Sequence, residues 1–545
     1  MGPLRYVNPR HRIIDSTKRI YSLAQERLRQ LVSPPSTTVA NPSCLHHLWS
    51  SIIPKGLLSK ISCTSPNSQD FGQATSTNIS RRPFSIDTAP GRFAINMLFD
   101  EVLLEIFACY VEGSQRRDAW HTLACVCRRW RSIALGSPRR LKSRIFCSGR
   151  IPVRDNLDIW PEFPIVLTID YYRRFGGDNI LATLERHDRV CQIEIWNISS
   201  SLWEQALPLM QKPFPILTDL SIRYMDDDRT ASVIPDSFLG GFAPRLRKLY
   251  LGFIPFPGLP KLLLTTTDLV HLELYQIPDS GYVSADAMAT CLSTLTMLEF
   301  LMLCFQSPHP SPEWERRRTS SSTRALLPSL SLFMFRGVSE YLEDIVDRID
   351  APLLDRVRIS FFHQPIFDTP RLAHFINRLP KLKTCNEAKM RLGSWYASVK
   401  VSSLSRTTTN AFLLLEDWLG QPDFLLSPLV QFCTLSFPRP LIPRVEVLNI
   451  VGSSLSRPPG QDGIDPSQWR ELLQPFTGVK DLYLFPGVAP RIALVLQELA
   501  EEEFLPILQN IFLKELQPLG LVPEGIEQFV AARQLASHPV AVHWD

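Results

Sequence analysis

The sequence predicts an α/β protein: a compact three-helix unit near residue 100, then a long irregular solenoid with one short parallel strand per repeat. Three observations lead there. An apolar-x-x-apolar-x-apolar triplet returns eleven times between Val190 and Leu513. The stretch 96–145 instead spaces its apolar residues by three and four, the helical period. Proline outnumbers glycine, 45 to 24 in 545 residues. Proline removes a backbone donor and clashes with the preceding turn, so long uninterrupted helices are disfavoured.

Residues 1–92 read as a disordered basic arm rich in Ser and Pro. Residues 1–90 hold 11 Lys and Arg against 4 Asp and Glu, leaving 47 against 50 in the remainder. The same composition also describes an organelle transit segment. That reading ranks second, because Pro34-Pro35, Pro42, Pro54 and Pro66 break the arm repeatedly. His46-His47 reads as incidental. The near-neutral body lacks the clustered basic face that nucleic acid requires. No apolar run approaches the ~18 residues of a membrane span. The 11 cysteines form no CxxC pair and predict reduced, mostly buried thiols in the cytoplasm or nucleus.

The helical unit, 93–145, begins with Leu98, Val102, Leu103, Ile106, Phe107 and Tyr110 on one face. Gly113-Ser114 is a break. Asp118 is a good N-cap for a second helix, whose stripe is Trp120, Leu123, Ala124, Cys127 and Trp130. Arg128, Arg129 and Arg131 then fall at that helix's far end, where positive charge suits the dipole.

The repeat rows of 146–522 start at Val190, Leu217, Leu246, Leu269, Leu298, Leu330, Leu354, Leu382, Val445, Val479 and Leu508. Most starts lie 23 to 34 residues apart, with one gap of 63 after Leu382. That gap is about two periods, so one row is expected to be hidden there or replaced by a helix around Phe412–Leu419. This spacing is the leucine-rich-repeat signature: a short strand contributes to a continuous core and the chain returns by a helix or loop, building a horseshoe. Asn179–His187 and Arg491–Glu503 have the helical spacing of return legs. Seven rows carry a proline two residues before their first apolar position: Pro215, Pro244, Pro328, Pro352, Pro380, Pro443 and Pro506. There it ends the return leg and favours extended backbone just before itself.

Residues between the core positions of a row face the concave surface. That nominates Asp219, Ser221, Arg223, Lys248, Tyr250, His271, Glu273, Tyr275, Arg356, Arg358, Asn449 and Tyr483 as a surface for a protein target. Asp226-Asp227-Asp228 follows a strand directly and reads as a solvated turn. Neither HExxH, GxSxG nor a phosphate-binding loop occurs, so no catalytic residue, metal or cofactor is expected.

Two blocks in the helical unit resemble the F-box. The first runs Leu98-Phe99-Asp100-Glu101-Val102-Leu103-Leu104-Glu105-Ile106-Phe107. The second, the more specific, runs Leu123-Ala124-Cys125-Val126-Cys127-Arg128-Arg129-Trp130. With the repeats, and with the closing Ile526–Leu535 and His538-Pro539-Val540 as a capping helix and strand within 523–545, the chain is similar to the F-box and leucine-rich-repeat proteins of mushroom-forming fungi. The resemblance implies the substrate-recognition subunit of a cullin-RING ubiquitin ligase, itself non-catalytic. Leu98, Leu103, Ile106, Phe107, Val126, Cys127 and Trp130 match the positions that form or support the contact with the ligase's small adaptor subunit. The repeats then hold an unidentified target protein, with no nucleic acid and no membrane involved. Phe99 stands where the family has Pro, and Lys142 near where a Trp usually follows. Both departures imply weaker adaptor binding, and a non-ligase scaffold with a degenerate F-box is the alternative.

Overall fold

The computed structural model describes residues 98–113, 119–138, 140–141, 144–147, 157, 163–169, 177–224, 232–307, 324–362, 369–393, 396–403, 411–418, 426–437, 441–452, 466–498, 504–514 and 524–544. The arm, Asp118, Lys142 and Asp226-Asp227-Asp228 lie outside them. The chain is mixed α/β, with thirteen helices among the described residues and a large, mostly parallel sheet. It divides into two compact units, 1–146 with 159–164, and 147–158 with 165–545.

The first unit holds α1 (Asp100–Gly113), α2 (Ala119–Ala124) and α3 (Arg128–Gly136). The strand β1 (Ile145–Cys147) follows. Leu103, Ile106, Phe107, Tyr110, Leu123, Trp130, Ile133 and Leu141 form one buried cluster. The expected single helix from residue 118 to Trp130 is in fact two. Cys127 adopts an extended conformation and its sulfur accepts the amide of Trp130 at 3.4 Å, so the chain restarts as α3. The arginines therefore occupy the first turn of α3, the wrong end for the dipole. Their charge is met locally. Arg129 pairs with Asp100 at 2.7 Å and also donates to the Leu98 carbonyl. Arg131 Nε donates to the Ala124 carbonyl at 2.9 Å, satisfying an acceptor at the open end of α2.

The second unit alternates strands and helices. β2 (Ile165–Ile169) and α4 (Gly177–Glu185) lead to β3 (Val190–Ile198), α5 (Ser200–Leu209), β4 (Asp219–Tyr224) and β5 (Lys248–Gly252). Then come α6 (Leu259–Leu263), β6 (His271–Ile277), α7 (Ala285–Leu292), β7 (Phe300–Phe305), β8 (Ala325–Leu326), β9 (Leu332–Gly337), α8 (Ser339–Arg348) and β10 (Ile349–Asp350). β8 and β10 pair only with each other. Next are β11 (Arg356–Phe362), α9 (Pro370–Arg378), β12 (Glu387–Leu392), β13 (Tyr396–Ser402), β14 (Phe412–Trp418) and α10 (Leu426–Gln431). The unit closes with β15 (Val447–Gly452), α11 (Pro466–Leu473), β16 (Asp481–Leu484), α12 (Ala489–Glu498), β17 (Asn510–Leu513), α13 (Glu524–Leu535) and β18 (Ala541–Trp544).

From β2 to β11, omitting the separate pair, every strand runs parallel to its predecessor. Ile193, Leu220, Leu249, Leu272, Leu301, Phe333 and Val357 align across the sheet and are all buried. The order then departs from the chain: β11 is followed in space by β14, β13, β12 and β15. β13 is antiparallel to both its neighbours. Phe412–Trp418 is thus a strand parallel to β11, in keeping with a hidden row and not with the alternative helix. Leu413 and Leu415 are buried, alternate with half-buried Phe412 and Leu414, and align with Val401 and Val399 of β13, the period of a strand. The row at Leu382 also shifts. Leu382 lies in a helical turn, Lys381–Thr384, and the strand begins three residues later, with Ala388 and Met390 inward.

The prolines act through a specific turn. Leu217, Leu246, Leu330, Leu354, Val445 and Leu508 each donate their amide to the residue three before, at 3.0 to 3.3 Å. In each case proline is the second residue of that turn, where its fixed φ is pre-set. Leu269, Leu298 and Val479 make the same turn with Thr267, Thr296 and Thr477 in the proline position. Pro380 is the exception and opens the helical turn Lys381–Thr384.

Candidate functional site

In the first unit the nominated residues separate into two groups. Leu103, Ile106, Phe107 and Trp130 are in the unit's own core, with the Phe107 and Trp130 rings 4.7 Å apart. They support the surface above them. Leu98 and Val126 are half-buried on the cluster's edge, and Cys127 is exposed. Phe99 is 77% exposed, just before α1. With Leu98, Val102, Leu104 and Val126 packed only in part, this unit presents apolar side chains that its own core does not cover. Phe99 falls outside the three- and four-residue spacing of α1, so the apolar stripe alone does not point to it. An apolar residue outside the helical period is itself a surface signal.

In the second unit alternation sends one set of side chains into the core and the other to the opposite, open face. Strand register arranges the nominated residues in rows. Asp219, Lys248 and His271 are neighbours across β4, β5 and β6, and Arg356 lies further along the same row, beyond Phe300 and Leu332. Ser221, Tyr250 and Glu273 form a second row that continues through Met302 and Met334 to Arg358. Asn449 and Tyr483 are neighbours on β15 and β16.

Two local arrangements stand out. The Arg223 guanidinium lies 5.4 Å from the ring centre of Phe253 and 5.5 Å from that of Tyr275, within cation–π range. Phe253 holds a left-handed φ of 61°. Gly252 leaves the space between, since a Cβ there would stand 2.9 Å from the Tyr250 hydroxyl. Tyr250 is buried at the base of this cluster against Trp196, 5.1 Å between ring centres. Burial pushes its phenol up to about 12, against the lowering field of Arg223. The second arrangement is a stack. His271 lies 4.0 Å from Phe300 with the rings nearly parallel, and its Nε2 meets Glu273 at 3.1 Å. Tyr483 stacks in the same way on Phe512, which stacks on His543. Further along, Arg358 pairs with Glu416 at 3.0 Å and Ser360 donates to the same carboxylate at 2.8 Å.

The open face also carries residues that were not nominated. Phe300, Met302, Leu332 and Met334 occupy the between-core positions of two recognised rows, so the spacing rule points to them as directly as to the polar ones. Lys389 emerges only once the Leu382 row is moved onward into β12, and Lys400, Phe412 and Leu414 only by reading β13 and β14 as strands. Among the described residues no group of three or more His, Cys, Asp or Glu could hold a metal ion. None of the described helices is long and apolar enough to cross a membrane. No protein-family model matches the sequence, and no curated protein matches it significantly.

Proposed function

We propose that this chain is the substrate-recognition subunit of a cullin-RING ubiquitin ligase, acting in the cytoplasm or nucleus. Its helical unit reads as an F-box that docks on the small adaptor. Its second unit reads as an irregular leucine-rich-repeat solenoid whose open face holds the protein to be ubiquitinated. The chain itself contributes binding and no bond-making chemistry.

The observation that carries this reading is the arrangement around Trp130. The Val126-Cys127-Arg128-Arg129-Trp130 block buries its tryptophan against Phe107 while Leu98, Phe99 and Val126 stay at the surface. A unit of this size buries little of its apolar surface alone, so exposed apolar side chains beside a rigid aromatic core suit a partner.

The test is capture of the adaptor by the purified full chain. Phe99→Ala should weaken capture by about tenfold, the loss of roughly one well-packed contact, with the melting temperature unchanged. Trp130→Ala should instead destabilise the unit by about 3–5 kcal/mol and lose binding through unfolding. A wild-type chain that fails to capture the adaptor would favour the scaffold reading, to which Phe99 in place of proline already points.

A further inference from the structure

We infer that the open face between β7 and β12 is a docking strip for an extended acidic peptide segment carrying apolar side chains. This rests on the proposed receptor role and names the class of target segment. Phe300 on β7 adjoins Leu332 on β9, and Met334 on β9 sits beside the buried Met302, so Phe300, Leu332 and Met334 present a half-buried apolar block. Arg356 and Arg358 stand in the next column, on β11, each already paired with a carboxylate, Asp355 at 3.4 Å and Glu416 at 3.0 Å. Phe412 and Leu414 follow on β14, then Lys400 on β13, then Lys389 and Arg391 on β12. A segment laid across the strands meets two apolar columns, then a cationic, an apolar and two cationic ones, about 4.8 Å per strand.

The charges on this strip do not cancel. Arg356 and Arg358 are offset by Asp355 and Glu416, so the excess rests on Lys389, Arg391 and Lys400 against the single carboxylate of Glu387, which accepts from Asn449 Nδ2 at 3.2 Å. Among the described residues no ion pair holds Lys389, Arg391 or Lys400. Lys400 Nζ instead lies 5.0 Å from the Phe412 ring centre, held over the apolar column beside it. A cation beside apolar side chains is incompletely hydrated, and a carboxylate arriving there makes a charge-assisted hydrogen bond. Charge complementarity excludes two occupants. The arm, 11 Lys and Arg against 4 Asp and Glu in residues 1–90, is repelled by the strip. A second copy docking face to face through this strip presents the same cationic columns.

The experiment pans displayed random peptides on the purified full chain and measures capture of the enriched sequences. Enrichment of Asp or Glu interleaved with Leu, Met or Phe is expected, with capture falling as salt is raised. The double variant Arg391→Glu/Lys400→Glu should lose about tenfold or more in capture, and Arg391→Gln/Lys400→Gln less, both with unchanged melting and adaptor binding. Enrichment of basic sequences, no enrichment, undiminished capture by the Glu variant, or stronger capture of a poly-deoxythymidine oligonucleotide overturns the inference. Adaptor binding with no peptide enrichment sinks the strip alone. Peptide capture without adaptor binding sinks the receptor role and leaves the strip standing.

Discussion

At the scale of single residues, burial sets chemistry more than residue type does. Cys125 and Cys127 are exposed, whereas Cys291, Cys304, Cys385 and Cys433 are buried. Burial pushes the Cys291 thiol up to about 11 and those of Cys304 and Cys385 to about 12, and raises that of Cys433 as well. The thiolate is the reactive form, so these four are inert at neutral pH. Site-resolved mass spectrometry after brief maleimide treatment should find Cys125 and Cys127 modified and these four unmodified until the chain is denatured. Early labelling of Cys304 or Cys385 would contradict the packing of β7 or the turn before β12. The composition suggested mostly buried thiols; which ones are buried depends on the sheet that covers them.

At the scale of elements, helix ends and turns carry much of the specificity. Glu343 on α8 is buried, and its carboxylate accepts the amides of Arg371 at 2.9 Å and Leu372 at 2.7 Å. Those are first-turn donors of α9 that have no acceptor within their own helix. Glu343→Ala strands both donors and should destabilise the second unit by about 1–3 kcal/mol, read as a lower denaturant midpoint. Glu343→Gln, which keeps one acceptor, should lose less. Nothing in the local sequence of α9 advertises this cap, because the capping residue comes from the preceding helix. Proline is the opposite case, visible in sequence and explained by structure. Pro244 occupies the second position of the turn closed by Leu246 N–H to Ala243 O, 3.1 Å. Pro244→Ala should lower stability by about 0.4–1 kcal/mol through the added freedom of the unfolded chain, without altering adaptor capture. An unchanged denaturant midpoint would show that the turn does not need its pre-set φ.

At the scale of the whole molecule, the sheet needs closing at its C-terminal edge. Ile526 and Phe529 of α13 are fully buried, and Arg533 donates to the carbonyls of Leu505 and Pro506. β18 covers the hydrogen-bonding edge of β17. Deleting 524–545 exposes that edge and the apolar side chains of Ile511 and Leu513, so size-exclusion chromatography should show oligomers or aggregate in place of the native species. A truncated chain that elutes as the intact one does would show that this cap is dispensable.

The sequence by itself determined the strand positions of ten rows, from Val190 to Leu508, because a two-residue alternation beside a buried core leaves only one register that keeps Leu and Ile inward. It also determined α1, α4 and α12, whose apolar residues recur at helical spacing. Tertiary structure decided the rest. Between residues 382 and 445 the chain inserts an antiparallel hairpin and a further strand, and apolar residues two apart there fit a repeat, a helix edge or a hairpin equally well until the neighbours are known. The break at Cys127 was decided by the competition of its sulfur for the Trp130 amide, a contact that apolar spacing does not encode. The mixed apolar and cationic strip of the open face was decided by which strands lie side by side. β11 meets β14 only because the intervening chain folds back, and that pairing is a long-range choice no local pattern contains.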